Sequence, residues 1–141
     1  MIAFGVFTSV AKLRENLHVS AGRAPLFVNV SGGQWWWEID TYEIAMGQEV
    51  ESCVKTEDVT HGMDIYAPDM TLVAQVKAMH GYTSKLAHTS DKPCSYQFLC
   101  MEFCGIAHHD MVNEFDVLEA SQWLTQHSKL KRVHKRTHTL L

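Results

Sequence analysis

Residues Cys100 to Met111 read C-M-E-F-C-G-I-A-H-H-D-M, and the reading of this stretch governs the rest of the chain. It gathers two thiols, two adjacent imidazoles, two carboxylates and two thioethers within a single short loop. Thiolate and thioether sulfur are soft donors that favour copper, whereas imidazole suits copper or zinc. Two thiolates four residues apart are able to bridge a pair of metal ions, where a single thiolate serves one ion.

That spacing resembles the binuclear CuA site of cytochrome oxidase subunit II, a family whose pattern is C-x-E-x-C-G-x-x-H-x-x-M. Every fixed position is matched, by Cys100, Glu102, Cys104, Gly105, His108 and Met111. The family takes one further histidine from an earlier loop in a context like D-V-x-H-G, and D-V-T-H-G here places it at His61. A third stretch, G-G-Q-W-W-W-E-I from Gly32 to Ile39, is similar to the family's aromatic segment. The three stretches stand in the family's order, and the resemblance spans roughly residues 25 to 120.

The resemblance implies a ligand set. Cys100 and Cys104 would bridge two coppers, His61 and His108 would each cap one as neutral imidazoles, and Met111 would supply a weak axial thioether. The backbone carbonyl of Glu102 would supply the other weak contact. Register favours His108 over His109, which is left for a supporting or interface role. The Glu102 side chain would help hold a magnesium ion shared with the catalytic subunit, provided the chain docks on such a partner. Trp35, the first aromatic after Gln34, falls where the family takes up electrons from cytochrome c. Read without the resemblance, the three tryptophans wedge two sheets together, and His61 is a polar loop residue. Gly105 permits a tight turn beside the metals, and Met101, at a variable position, is packing. Because the thiols must ionise, copper binding is expected to weaken as pH falls.

Working outward, the flanking sequence reads as short strands broken by turn residues. L-F-V-N-V-S from Leu26 alternates, Gly32 and Gly33 permit a bulge or turn, and Q-W-W-W-E-I-D-T-Y follows as a second extended run. Strand side chains alternate, so at least one of Trp35, Trp36 and Trp37 should face outward. Ala45 to Gln48 reads as a hairpin connection into E-V-E-S-C-V-K-T, with Val50, Ser52 and Val54 on one face. T-E-D-V-T-H-G-M reads as a loop carrying His61, and Ile65 to Asp69 as another loop, Pro68 being unsuited to a central strand. M-T-L-V-A-Q-V-K, K-L-A-H-T, S-Y-Q-F-L-C and V-N-E-F-D-V-L-E-A complete about eight strands. His80, where family members commonly have proline, reads as a surface substitution. The pattern argues for an all-β, cupredoxin-like Greek-key β-sandwich or barrel. A helix follows, with Ser121 as its N-cap. The expected organisation is an N-terminal segment at 1–24, a CuA cupredoxin domain at 25–120 and a C-terminal helix and basic tail at 121–141.

At 141 residues the chain suffices for one domain with its own core. Cys53 and Cys94, the two cysteines outside the loop, either pair in an oxidising compartment or remain thiols. Residues 1–125 carry 7 Lys/Arg against all 16 Asp/Glu, while the last 16 residues carry five basic groups and no acid. An acidic body would draw in a basic soluble partner, and the basic tail either meets anionic lipid or a partner subunit or moves freely. No run of 18 apolar residues is present, so no bilayer span is expected. The opening M-I-A-F-G-V-F-T-S-V lacks the features of a signal peptide and is read as either an anchor stub or a linker.

The functional expectation is therefore the electron-input subunit of a terminal respiratory oxidase. It would receive single electrons from cytochrome c or a similar small redox protein and pass them to haem in the catalytic subunit. It would sit on the outward face of an energy-transducing membrane, held by partner subunits, with no role for nucleic acid. The same motif also occurs with nitric oxide or nitrous oxide reductases. Different classes are a structural zinc domain built from His61, Cys100, Cys104 and His108, which leaves Met111 and Glu102 idle, and a copper carrier, which needs a more open site.

Overall fold

A computed structural model gives the structure and describes residues 24–127. The apolar opening, the helical turns expected at Ala11 to Leu17 and most of the basic tail lie outside the described residues. Among the described residues nine strands form two sheets. The first has the order β2 (Trp36–Ile39), β1 (Leu26–Gly33), β4 (Glu49–Thr56), β7 (Ser84–Thr89). The second has the order β3 (Glu43–Ala45), β9 (Val112–Leu118), β8 (Ser95–Cys100), β5 (His61–Tyr66), β6 (Leu72–Ala78). Pairing is antiparallel except for β1 with β4 and β3 with β9. This is the expected all-β sandwich, with one strand more than the sequence suggested.

The alternating strands behave as their patterns require. Val50, Ser52 and Val54 of β4 are buried and lie beside Val28 and Val30 of the neighbouring strand β1, on the same inward face of the sheet. Trp37 is buried and Trp36 is exposed, so one tryptophan does point outward. At the centre of the second sheet Phe115 stacks on Phe98 and Tyr96, with ring centroids 5.0 and 5.4 Å away.

Four local expectations fail, each for a physical reason. His61 opens β5 rather than lying on a loop, and Ile65 and Tyr66 are also in that strand. Its first five residues are all buried, so H-G-M-D-I-Y shows none of the alternation by which a half-exposed strand is recognised. Ala45 to Gln48 is not a hairpin: β3 lies in one sheet and β4 in the other, so the turn crosses the sandwich. Ser121 does not cap the helix, which occupies residues 120–127; the Trp123 N–H already donates to the Glu119 carbonyl. Cys53 and Cys94 are both free thiols. Pro68 lies outside any strand, as expected.

His88 of β7 is buried against the Phe115 ring, and neither ring nitrogen has a hydrogen-bond partner. Burial pushes its pKa down from 6.5 to about 4. The folded state thus holds a neutral imidazole where the unfolded chain binds a proton, so stability is present above pH 6.5 and is lost as pH falls towards 4. The expected loss is about 3 kcal/mol across that window. Urea unfolding midpoints measured against pH should show it, and His88→Leu should flatten the curve there.

Candidate metal centre

The site lies at one end of the sandwich, where the β8–β9 connection folds over the start of β5. Cys100 ends β8 and Met111 immediately precedes β9. The Cys100 N–H donates to the Met111 carbonyl at 3.2 Å, closing the loop at its base. The Met101 N–H donates to the Gly62 carbonyl at 3.0 Å, tying the loop to β5 beside His61. That approach needs glycine: a Cβ on Gly62 would lie 3.0 Å from the Glu102 nitrogen and 3.1 Å from the Met101 carbonyl carbon, both backbone atoms. Gly62→Ala should therefore lower stability by about 1–3 kcal/mol, the cost of overpacking, measurable by urea denaturation.

Folding brings six donors into one continuous row. His61 Nδ1 lies 3.8 Å from Cys100 Sγ, which lies 3.7 Å from Cys104 Sγ. Cys104 Sγ is in turn 3.5 Å from His108 Nδ1 and 3.9 Å from Met111 Sδ. The Glu102 carbonyl oxygen is 3.3 Å from Cys100 Sγ. Bonds of about 2.0–2.3 Å to nitrogen and sulfur in a tetrahedral arrangement put neighbouring donors about 3.3–3.8 Å apart. The spacings observed are close to those edges. His61, Cys100, Cys104 and Met111 are buried, and His108 is half-buried in a 3-10 turn, His108–Asp110. His109 points away, exposed and 3.5 Å from its neighbour Asp110. Met101 is exposed rather than packed.

Without a metal, the electrostatics hold Cys104 in its protonated form. Burial pushes the Cys104 thiol up to about 11, and the hydrogen bond and charge of Cys100 push the same way. Two sulfurs crowded out of water need a cation to stay ionised. On the far side of His61, Nε2 meets Asp58 Oδ1 at 2.8 Å, which turns Nδ1 towards the thiols. Burial raises the Asp58 carboxyl, but hydrogen bonds from His61 and from the Gln34 and Val59 N–H groups outweigh it and hold the group below its ordinary range. The Glu102 carboxylate is held down by a hydrogen bond and charge from Lys77, whose Nζ is 2.7 Å away.

The aromatic hairpin supplies a third wall. Trp37 meets the His61 ring edge-on at 5.8 Å. Gly105 has φ 126, a conformation suited to glycine, and a Cβ there would stand 3.1 Å from the Trp35 ring and 2.9 Å from Gln34 Nε2. Trp35 is half-buried against the loop. Sequence reasoning marked these stretches but gave Asp58 and Gln34 no role, and read Trp37 only as a wedge between sheets. An acid three residues before a ligand-type histidine was the available sign, since such histidines usually donate their second ring nitrogen to a carboxylate.

No family model matches the chain. Two cytochrome c oxidase subunit 2 sequences of Thermus thermophilus are each 24% identical to it over 101 residues. Those residues make up 72% of this chain, and 72% and 58% of the two relatives. In fold, the periplasmic domain of subunit II of cytochrome oxidase from Bradyrhizobium japonicum superposes with TM-score 0.61 at 18% identity, over 78% of this chain and 96% of that one. A chain from a heme-copper terminal oxidase dimer gives 0.61 at 20% identity, over 82% and 91%. Auracyanin from Roseiflexus castenholzii gives 0.50 at 17% identity, over 68% and 98%. The fold is therefore cupredoxin-like, and in sequence and fold together the chain is similar to cytochrome c oxidase subunit II.

Proposed function

We propose that the chain is the electron-input subunit of a haem-copper respiratory oxidase and that residues 25–120 form its CuA domain. The observation that carries this is the single row His61, Cys100, Cys104, His108, flanked by Met111 and the Glu102 carbonyl. A copper pair bound here would supply a one-electron relay. Cys100 and Cys104 would bridge the pair, His61 and His108 would cap it, and Met111 and the Glu102 carbonyl would supply weaker contacts. A single zinc ion suits the row less well, because only His61, Cys100 and Cys104 have donor atoms all within 4.8 Å of one another and His108 stands outside that group; a thioether turned into the row also favours copper.

The surrounding residues have supporting tasks. Asp58 orients His61, Trp37 walls it, and the burial of both thiols excludes water. Trp35, packed on Gly105, is the candidate for electron uptake. Exposed Phe103 meets the His108 ring edge-on at 5.9 Å, which gives the loop a second apolar contact surface. The acidic body suits a basic donor such as cytochrome c, and haem in a partner subunit is the acceptor. Among the described residues no helix is long and apolar enough to cross a membrane. Placement on the outward membrane face would accordingly depend on partner subunits or on segments outside the described residues. A magnesium ion shared through Glu102 would have to displace Lys77 from the carboxylate when the subunits dock.

Reconstitution with copper tests the reading. Two coppers per chain are expected, with a purple mixed-valence absorption and an electron-spin signal split equally by two nuclei. A colourless zinc protein, or a single copper with a one-nucleus signal, would refute it.

A further inference from the structure

Gln34 sits at the tip of the β1–β2 hairpin and is held at both ends. Its side-chain Nε2 donates to the Cys104 carbonyl at 2.6 Å, a contact 70 residues apart in sequence. Its backbone N–H donates to Asp58 Oδ2 at 2.7 Å, and the other oxygen of that carboxylate meets His61 Nε2 at 2.8 Å. One residue thus joins the two pieces of chain that carry opposite parts of the donor row. His61 reaches the row through Cys100, and His108 through Cys104. Only a fixed spacing between these halves gives two metal positions with matching surroundings.

We propose that Gln34 is a positioning residue that sets the separation of the His61–Cys100 half from the Cys104–His108 half, and so keeps the two metal positions equivalent. The inference rests on the copper reading above. The amide is suited to the task because it bridges by neutral donation. It adds no charge to a buried pair of sulfurs, and it leaves the Asp58 carboxylate free to hold His61. Trp35 and Gly105 pack beside the Gln34 amide, so the contact is fenced by apolar atoms on one side.

Two variants separate this from a plain structural role. Gln34→Glu keeps the length and the backbone N–H but sets an oxygen against the Cys104 carbonyl; Gln34→Ala removes the side-chain arm without introducing a charge. With copper bound, both should still hold two ions per chain. Their electron-spin hyperfine pattern should become unequal between the two nuclei, the reduction potential should shift, and copper should leave about tenfold faster, in line with loss of an outer hydrogen-bond partner. Metal-free melting temperatures should change by only a few degrees. If hyperfine pattern, potential and release rate all match wild type in Gln34→Ala, the inference is overturned, whatever happens to melting. A wild-type protein that shows no two-copper signal overturns the copper reading itself, and the inference with it. A normal wild-type signal with an unperturbed variant isolates the failure to Gln34.

Discussion

Cys104→Ser is expected to cut copper content from two ions per chain to one and to replace the shared electron-spin signal with that of a mononuclear site. Cys104 Sγ is the node of the row, within 3.9 Å of Cys100 Sγ, His108 Nδ1 and Met111 Sδ. A serine hydroxyl is a hard donor and stays protonated at neutral pH, so it bridges soft metal ions poorly. His108 and Met111 then lose the sulfur that links them to Cys100, while His61 and Cys100 keep theirs. Removing a direct ligand should weaken copper binding by more than the roughly 10–100-fold cost of losing an outer partner. The fold should survive, because Cys104 lies in the loop between β8 and β9 and the hydroxyl is close in size to the thiol, while the Phe115 stack is carried by the strands themselves; metal-free circular dichroism and urea midpoints check that point. A two-copper spectrum that persisted in the variant would falsify the ligand assignment.

The second large effect is on pH. In the metal-free protein Cys104 keeps its proton up to about 11, whereas the metal-bound form needs the thiolate. Loading therefore releases that proton, and affinity should rise about tenfold per pH unit below that value. From pH 6 to pH 9 the gain from this one group is about a thousandfold. Asp58, held below the ordinary carboxylate range, stays charged throughout and keeps its grip on His61. Competition against a chelator, corrected for the chelator's own protonation, gives the slope. A flat profile would mean that Cys104 is not displaced from its proton, and so is not a ligand.

Much of this was legible beforehand because two kinds of signal are local. Alternation in residues such as Val50, Ser52 and Val54 reports a strand with one buried face. The Cys100–Met111 spacing reports chemistry that few other sequences need, and the structure brings each marked donor into the row. The illegible parts were long-range or featureless. β5 is buried along its first five residues, so its pattern carried no period, and His61 was read as a loop residue. The A-M-G-Q turn has the composition of a hairpin, yet which sheet receives β4 depends on β1 and β7, far away in sequence. Gln34 and Asp58 are ordinary surface types whose tasks exist only once three distant segments meet.

That meeting has a temporal side. The pocket draws on the β1–β2 turn, the start of β5 and the β8–β9 connection, and β9 is the last strand of the second sheet. A chain emerging from the ribosome cannot present the finished cage until residues beyond Leu118 are out. Before then His61 and its Asp58 and Gln34 supports have nothing fixed to pack against, so the complete six-donor cage exists only once the whole sandwich has been made.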